Sequence, residues 1–248
     1  DLNRDVPDFA AEAADPAAAL ADLGDNNFFL EVKSGYAQEM VTGFLCFDGM
    51  TVGAVANRTK KYDEEGKETA SFEARLTTAG CEKAAAFVKT CDAFNIPVLT
   101  LTNVEGYATS VEEEKTIAAA AAKLTAAFAE SDVPKVNMIT GNAYGSAYIT
   151  MNSKHIGADM VFALNGAKVG MMDANVAAKI MYADANAETL KEKAAEYKEL
   201  QSSPVSAARR GYVDDIIEPD ATRKRVIAAL DMLFSKSEDR PFKKHGTI

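Results

Sequence analysis

Apolar positions in this chain fall into short unbroken runs separated by stretches of helical period. Runs at 40–47 and 50–56 flank Asp48-Gly49, a two-residue hairpin signal between strands. Phe28-Phe29-Leu30-Glu31-Val32 predicts a strand ahead of them. From Thr78 the period becomes 3.6, with Ala84, Phe87, Val88, Cys91 and Phe94 on one face. Asn95-Ile96-Pro97 stops that helix and opens a strand over 96–102. A turn is expected at 103–107, then a helix entered through a capping box of Ser110 and Glu113. Ile117, Ala121, Leu124 and Phe128 line its buried face. A second buried strand follows over 133–140.

Beyond it, 159–164 and 167–172 read as short strands, and 175–182 and 187–201 as helices. Ser203-Pro204 caps a short helix ending at Arg209-Arg210-Gly211, 213–217 is a strand-like run, and 222–234 is the last long helix. At the other end, residues 1–27 are rich in Ala and Asp. Asp15-Pro16 supplies an N-cap and a first helical position there, and Gly24 a stop. That segment is expected to be a leader lying on the domain surface. The polar stretch 60–74 reads as a long solvated loop. With no second core and no linker pattern, residues 1–248 are expected to form one domain.

Strand, Gly-containing turn and helix occur twice in succession, the pattern of an α/β fold with a parallel sheet and crossover helices. Ligands in such folds gather at the carboxyl ends of the strands, here Gly106 and 141–147. The second of these is Gly141-Asn142-Ala143-Tyr144-Gly145-Ser146-Ala147-Tyr148. It reads as a small-residue turn, with a helix starting near Tyr148. The unpaired N–H groups of a helix start can hold an oxygen on which negative charge develops. The same small residues also suit a merely tight connection.

Composition narrows the chemistry. At 248 residues and a net charge of −10, the chain is a poor match for nucleic acid or an anionic membrane surface. Cys46, Cys81 and Cys91 sit in apolar runs, as buried thiols of a reducing compartment do. Two histidines and no Cys-x-x-Cys pair leave no metal site expected. No run approaches the ~20 apolar residues of a membrane span, and no signal peptide is visible. A cytoplasmic protein without membrane insertion is expected. The chain opens on Asp1 rather than Met, as a fragment or processed product would.

Six stretches together suggest a family: Val41-Thr42-Gly43-Phe44, Gly53-Ala54-Val55-Ala56-Asn57, Cys91-Asp92-Ala93-Phe94-Asn95-Ile96-Pro97, Ala143-Tyr144-Gly145-Ser146-Ala147-Tyr148, Arg210-Gly211-Tyr212-Val213-Asp214-Asp215 and Lys243-Lys244-His245-Gly246. In this order the chain resembles the C-terminal half of the biotin-dependent acyl-CoA carboxyltransferase subunit. That family includes propionyl-CoA and acetyl-CoA carboxylases, transcarboxylase and sodium-pumping decarboxylases. The resemblance implies the crotonase-like (ClpP/crotonase) fold, with repeated ββα units and a twisted, mainly parallel sheet. It implies transfer of a carboxyl group between carboxybiotin and a small acyl-CoA, with biotin as the cofactor and a coenzyme A thioester as substrate. The implied partners are an N-terminal carboxyltransferase half, fused or separate, a biotin carboxyl carrier protein, and further copies in a homo-oligomer.

Carried over by position, the catalytic donors are the backbone N–H groups of Ser146 and Ala147, which would stabilise the urea enolate of biotin. Ala143, Tyr144, Gly145, Gly106 and Tyr107 would form the biotin site, and Ile149 would help choose the acyl group. The sequence departs from the family at Val104-Glu105-Gly106-Tyr107, where the family has Thr-Pro-Gly-Phe, and at Ser110, Ala119-Ala120 and Asp173-Ala174-Asn175-Val176.

Three other readings compete. A crotonase-superfamily hydratase or thioesterase needs placed carboxylates, for which Glu105, Glu112, Glu113 and Glu114 are the candidates; as a solvated helix start they would carry no chemistry. A Clp-like protease would use Ser146 with a histidine base, but His155 is expected to point away from the turn. The third is a structural subunit without chemistry. Asp214-Asp215 reads as a hydrogen-bonded strand start, Arg209-Arg210 as complements to a helix end, and Met171-Met172 as core filler.

Overall fold

The computed structural model describes residues 3–63 and 65–238, so the Lys243-Lys244-His245-Gly246 stretch lies outside the described residues. Two short helices open the chain, α1 (Phe9–Glu12) and α2 (Pro16–Leu23). Asp15 caps α2 by accepting from Ala17 N, Pro16 takes its first position, and Gly24 follows its end. Val6, Phe9, Leu20 and Leu23 are fully buried in the same cluster as strand residues of the sheet.

Next come β1 (Leu30–Glu31), β2 (Met40–Phe47) and β3 (Met50–Asn57). Asp48 and Gly49 both take positive φ, 50° and 77°, the geometry a two-residue hairpin needs. The first strand is shorter than the apolar run around it. The expected solvated loop at 60–74 is indeed mostly exposed among its described residues, but it also contains a strand pair. It holds the antiparallel pair β4 (Lys60–Tyr62) and β5 (Glu68–Ser71), followed by β6 (Arg75–Leu76). Its polar sequence hid this because the pairing is satisfied by backbone groups and contributes little to the core.

Helix α3 (Thr78–Ala93) leads into β7 (Val98–Val104). The expected turn at 103–107 is narrower than the pattern suggested: Val104 still belongs to β7, and β8 (Gly106–Tyr107) pairs with β6 in parallel. Then follow α4 (Val111–Glu114), α5 (Ile117–Glu130), β9 (Lys135–Tyr144) and α6 (Gly145–Thr150). Ser110 Oγ caps α4, accepting from Glu113 N. The Glu113 carboxylate, however, accepts from Thr78 N and Oγ1, both at 2.7 Å, so it joins α4 to the start of α3. The chain closes with β10 (Met160–Leu164), β11 (Lys168–Gly170), α7 (Ala174–Met181), α8 (Ala187–Tyr197), α9 (Pro204–Arg209), β12 (Asp215–Ile217) and α10 (Thr222–Leu233).

Among the described residues one eight-stranded sheet dominates, ordered β1-β2-β3-β7-β9-β10-β12, with β11 pairing the far end of β9. The β1–β2 and β2–β3 pairs are antiparallel. From β3 to β12 every pair is parallel. Strand residues alternate between two cores, as a sheet covered on both faces requires. Val136, Met138, Phe162 and Leu164 face one cluster, and Ile139, Ala143, Val161 and Ala163 the other.

Candidate active site

Strand β9 is ten residues long, and its length decides the site. The stretch 141–144 is not a turn: it continues the strand, Lys168, Val169 and Gly170 of β11 pairing with Asn142, Ala143 and Tyr144. Helix α6 then begins at Gly145, earlier than the expected start near Tyr148, and ends at Thr150. The whole change of direction falls on Gly145, whose φ is +59°. A Cβ there would lie 3.1 Å from Met171 O, so both conformation and space favour glycine. Ser146 and Ala147 follow in the first helical turn, where backbone N–H groups lack partners within the helix.

Buried polar groups fix α6 to the sheet. Thr102 Oγ1 donates to Asn137 Oδ1 at 2.8 Å, and Asn137 Nδ2 donates to Met151 O at 3.2 Å. Asn152, with φ of +51°, donates through Nδ2 to Thr100 Oγ1 at 3.0 Å. In front of the helix, Asn142 N donates to Asn103 Oδ1 at 2.9 Å and Asn142 Nδ2 to Glu105 Oε1 at 2.7 Å. These contacts bring the ends of β7 and β9 together, as the β-turn-α pattern implies.

Two cavities meet at α6. One, of about 410 Å³, is walled by Gly145, Ser146, Tyr148, Ile149, His155 and Met171, with Arg210 and Tyr212 at its edge. The other, of about 440 Å³, lies toward α5 and is walled by Tyr107, Ile117, Ala121, Thr125, Ser146 and Ile149. Ser146 and Ile149 therefore border both. Ala143 and Tyr144 are buried in β9 and Ala147 in α6, and these three and Gly106 line neither cavity. Tyr107 lies on the other side of the helix from Gly145, its Oη 3.1 Å from Thr150 Oγ1.

Two expectations are corrected here. His155 does not point away: its ring sits in a 3-10 turn, 4.7 Å from the Tyr212 ring and 6.2 Å from that of Tyr148, on the wall of the first cavity. The helix ends at Thr150, so the chain doubles back before residue 155. Met171 is not core filler. It is 73% exposed and stands on the cavity rim, because β11 ends at Gly170. Thr125, Thr150 and Arg210 also line these cavities. The one signal in the sequence was the four-residue spacing of Ser146 and Thr150, which places them on one helix face.

The site offers few ionisable groups. Burial pushes the Tyr144 phenol up to about 12 and raises Tyr148 as well, so both are neutral near pH 7. Of the glutamates beside the strand end, Glu105 holds Asn142, Glu113 holds Thr78, and Glu112 pairs with Lys115. Asp214 accepts from Val161 N and Lys154 Nζ, each at 2.7 Å, in line with a structural strand start. Among the described residues no three His, Cys, Asp or Glu side chains are grouped to hold a metal ion. No described helix is long and apolar enough to cross a membrane. The arrangement suits chemistry done by backbone donors in an apolar cavity.

The profile of the carboxyl transferase domain matches residues 1–248. The chain belongs to the carboxyl transferase domain family. It is 41% identical over 254 residues to a putative propionyl-CoA carboxylase beta chain of Bacillus subtilis, covering all of this chain and 48% of that one. It is 36% identical over 261 residues to the methylmalonyl-CoA decarboxylase subunit alpha of Propionigenium modestum, covering all of this chain and 47% of that one. Among solved structures, a transcarboxylase 12S crystal structure described as a hexamer with hydrolysed methylmalonyl-coenzyme A bound superposes with a TM-score of 0.88. That match has 34% identity and covers all of this chain and 48% of the other. The fold is thus the crotonase-like α/β fold of this carboxyl transferase family. The chain spans about half the length of the curated relatives it matches.

Proposed function

We propose that this chain is the biotin-side half of an acyl-CoA carboxyltransferase, moving a carboxyl group between carrier-borne biotin and a small acyl-CoA. The observation that carries the reading is the abrupt β9–α6 junction at Gly145, which sets Gly145 and Ser146 on the wall of an apolar cavity, with the buried Ala147 next in the first helical turn. A cavity of about 410 Å³ accommodates a small bicyclic ring system. The close approach at Gly145 keeps side-chain bulk out of its mouth. Apolar walls and the scarcity of carboxylates fit a group held by backbone donors.

Bound there, biotin supplies a transferable carboxyl group on a ring nitrogen. The chain's own part is to hold the adjacent ring oxygen. The N–H groups of Ser146 and Ala147 point at the place where negative charge gathers during transfer, and the apolar walls keep water from competing. One such donor contributes about 3–4 kcal/mol to lowering a barrier. Ala143 and Tyr144 back this cradle, and Gly106 and Tyr107 close the far side of α6. Ile149 borders both cavities and so limits the room left for the acyl chain. A small acyl group such as propionyl fits that limit. In this reading, coenzyme A is held mainly by an N-terminal half, fused or separate, and biotin arrives on a carrier protein. Like copies assemble around the paired halves.

The test is a titration of free biotin into the isotope-labelled chain and into Ala147→Pro, which removes one backbone donor. Biotin-induced shifts centred on 145–149 that disappear in a folded Ala147→Pro support the assignment. Equal shifts in both proteins, or none at millimolar biotin even with the N-terminal half present, sink it.

A further inference from the structure

The Ser146 carbonyl and the Ala147 N–H are opposite ends of one peptide unit, and that unit is planar and stiff. Whatever fixes the carbonyl therefore aims the N–H. In this structure the carbonyl sits inside α6, four residues before Thr150 N, and a side chain adds a second donor to it: Thr150 Oγ1 donates to Ser146 O at 3.1 Å. Thr150 is 4% exposed, and its hydroxyl is held in turn from two other elements. Tyr107 Oη, on β8, lies 3.1 Å from Thr150 Oγ1, and Thr125 Oγ1, on α5, lies 3.2 Å from it.

Counting protons gives this cluster a direction. A threonine hydroxyl has one proton and two lone pairs. With the Thr150 proton on Ser146 O, the Tyr107 hydroxyl takes the donor role in the Tyr107–Thr150 contact, whose geometry allows either direction. Thr125 has one proton as well, shared between Thr150 and Ala121 O, the latter at 2.9 Å. The relay runs from Tyr107 Oη–H to Thr150 Oγ1–H to the carbonyl of Ser146. Hydrogen bonds in such a chain polarise one another. A carbonyl that accepts strongly makes the N–H of its own peptide unit a better donor.

We infer that Tyr107 and Thr150 are positioning residues, which fix the Ser146–Ala147 peptide plane so that the Ala147 N–H points, polarised, at the ligand. Both line the second cavity, on the α5 side of α6, and the role inferred here acts through the peptide plane without requiring contact with a ligand in the first cavity. The aiming of the plane stands on the structure of the free chain; its consequence for turnover rests on the function proposed above.

The two parts are separable by experiment. Tyr107→Phe removes one hydroxyl and keeps the ring. Thr150→Val removes the central hydroxyl at nearly constant volume, and Thr150→Ser restores it. In the ligand-free chain the Ala147 amide resonances should shift in Tyr107→Phe and Thr150→Val, because the peptide plane loses a hydrogen bond that fixes and polarises it. Thr150→Ser should return them to the wild-type values. Biotin affinity should fall in parallel in the first two variants. A purely structural role would lower the melting temperature while leaving the Ala147 amide where it was, and that result overturns the inference. Should wild type bind no biotin while the amide still responds, the relay stands and the biotin-side assignment fails. Should biotin bind normally to every variant and the amide stay fixed, the relay fails and the assignment stands.

Discussion

The carboxamide of Asn103 occupies the space that a side chain at position 141 would need: a Cβ on Gly141 would lie 2.6 Å from Asn103 Oδ1. The same oxygen accepts from Asn142 N, at the point where the register between β7 and β9 shifts. Gly141→Ala should therefore push Asn103 aside and leave the Asn142 N–H without its acceptor. A loss of about 1–3 kcal/mol is expected, read as a lower urea midpoint at unchanged slope. Wild-type stability in Gly141→Ala would mean the strand ends can part at no cost.

Gly145 is the second position where glycine is required. Its φ of +59° disfavours any L side chain. Gly145→Ala should cost about 1–2 kcal/mol in backbone strain and should weaken biotin binding more than stability alone explains. Parallel thermal melts and biotin titrations separate the two effects. A variant that loses stability and keeps biotin affinity would place the ligand elsewhere.

Ile149 borders both cavities, so its bulk sets the room beside Ser146. With the N-terminal half supplied, Ile149→Ala should raise the kcat/KM ratio of longer to shorter acyl-CoA about tenfold, the discrimination one or two methylene groups give. An unchanged ratio across a series of chain lengths would remove Ile149 from the acyl pocket.

Arg58 is 1% exposed and ties the N-terminal segment to the sheet. Its guanidinium meets Asp15 at 2.9 Å and Glu31 at 3.0 Å. Asp15 also caps α2 and accepts from Tyr62 N at 3.0 Å. Glu31 still meets the guanidinium in Asp15→Ala, but Arg58 Nε, Tyr62 N and the start of α2 lose their shared acceptor, and a loss of about 2–4 kcal/mol is expected. Chemical unfolding measures this directly, and a loss under 1 kcal/mol would contradict it.

Lys83 gives a pH signature. Its Nζ donates to Tyr36 O at 2.7 Å and Ala37 O at 3.3 Å, and burial lowers its pKa from 10.5 to about 8. The folded state thus binds fewer protons here than the unfolded state between those values. Stability from this group should rise as pH climbs from about 8 to about 10.5 and be flat below that window. The neutral amine still has two protons for its two carbonyls. The difference in unfolding free energy between wild type and Lys83→Met, followed from pH 7 to 10.5, isolates the effect. A pH-independent difference would refute it.

Local chemistry was readable in the sequence. Asp48-Gly49 fixes a hairpin because both residues accept positive φ, and Asp15-Pro16 and Ser110 start helices because a side-chain oxygen reaches a nearby N–H. The alternation of buried runs with helical faces gave the parallel sheet, since both depend only on which side of an element meets water. The placing of 141–147 near Gly106 followed from strand polarity. What the sequence could not supply were contacts between residues far apart in the chain. Glu113 looked like the partner of its own helix start and instead holds Thr78, 35 residues away. The polar stretch 60–74 forms strands through backbone pairing that leaves no hydrophobic trace. His155 and Met171 reach the cavity only because α6 stops at Thr150 and β11 stops at Gly170. Likewise, Tyr107 meets Thr150 across 43 residues. Periodicity and capping are written within a few residues, whereas the aim of a backbone N–H is set by whatever the folded chain packs behind it.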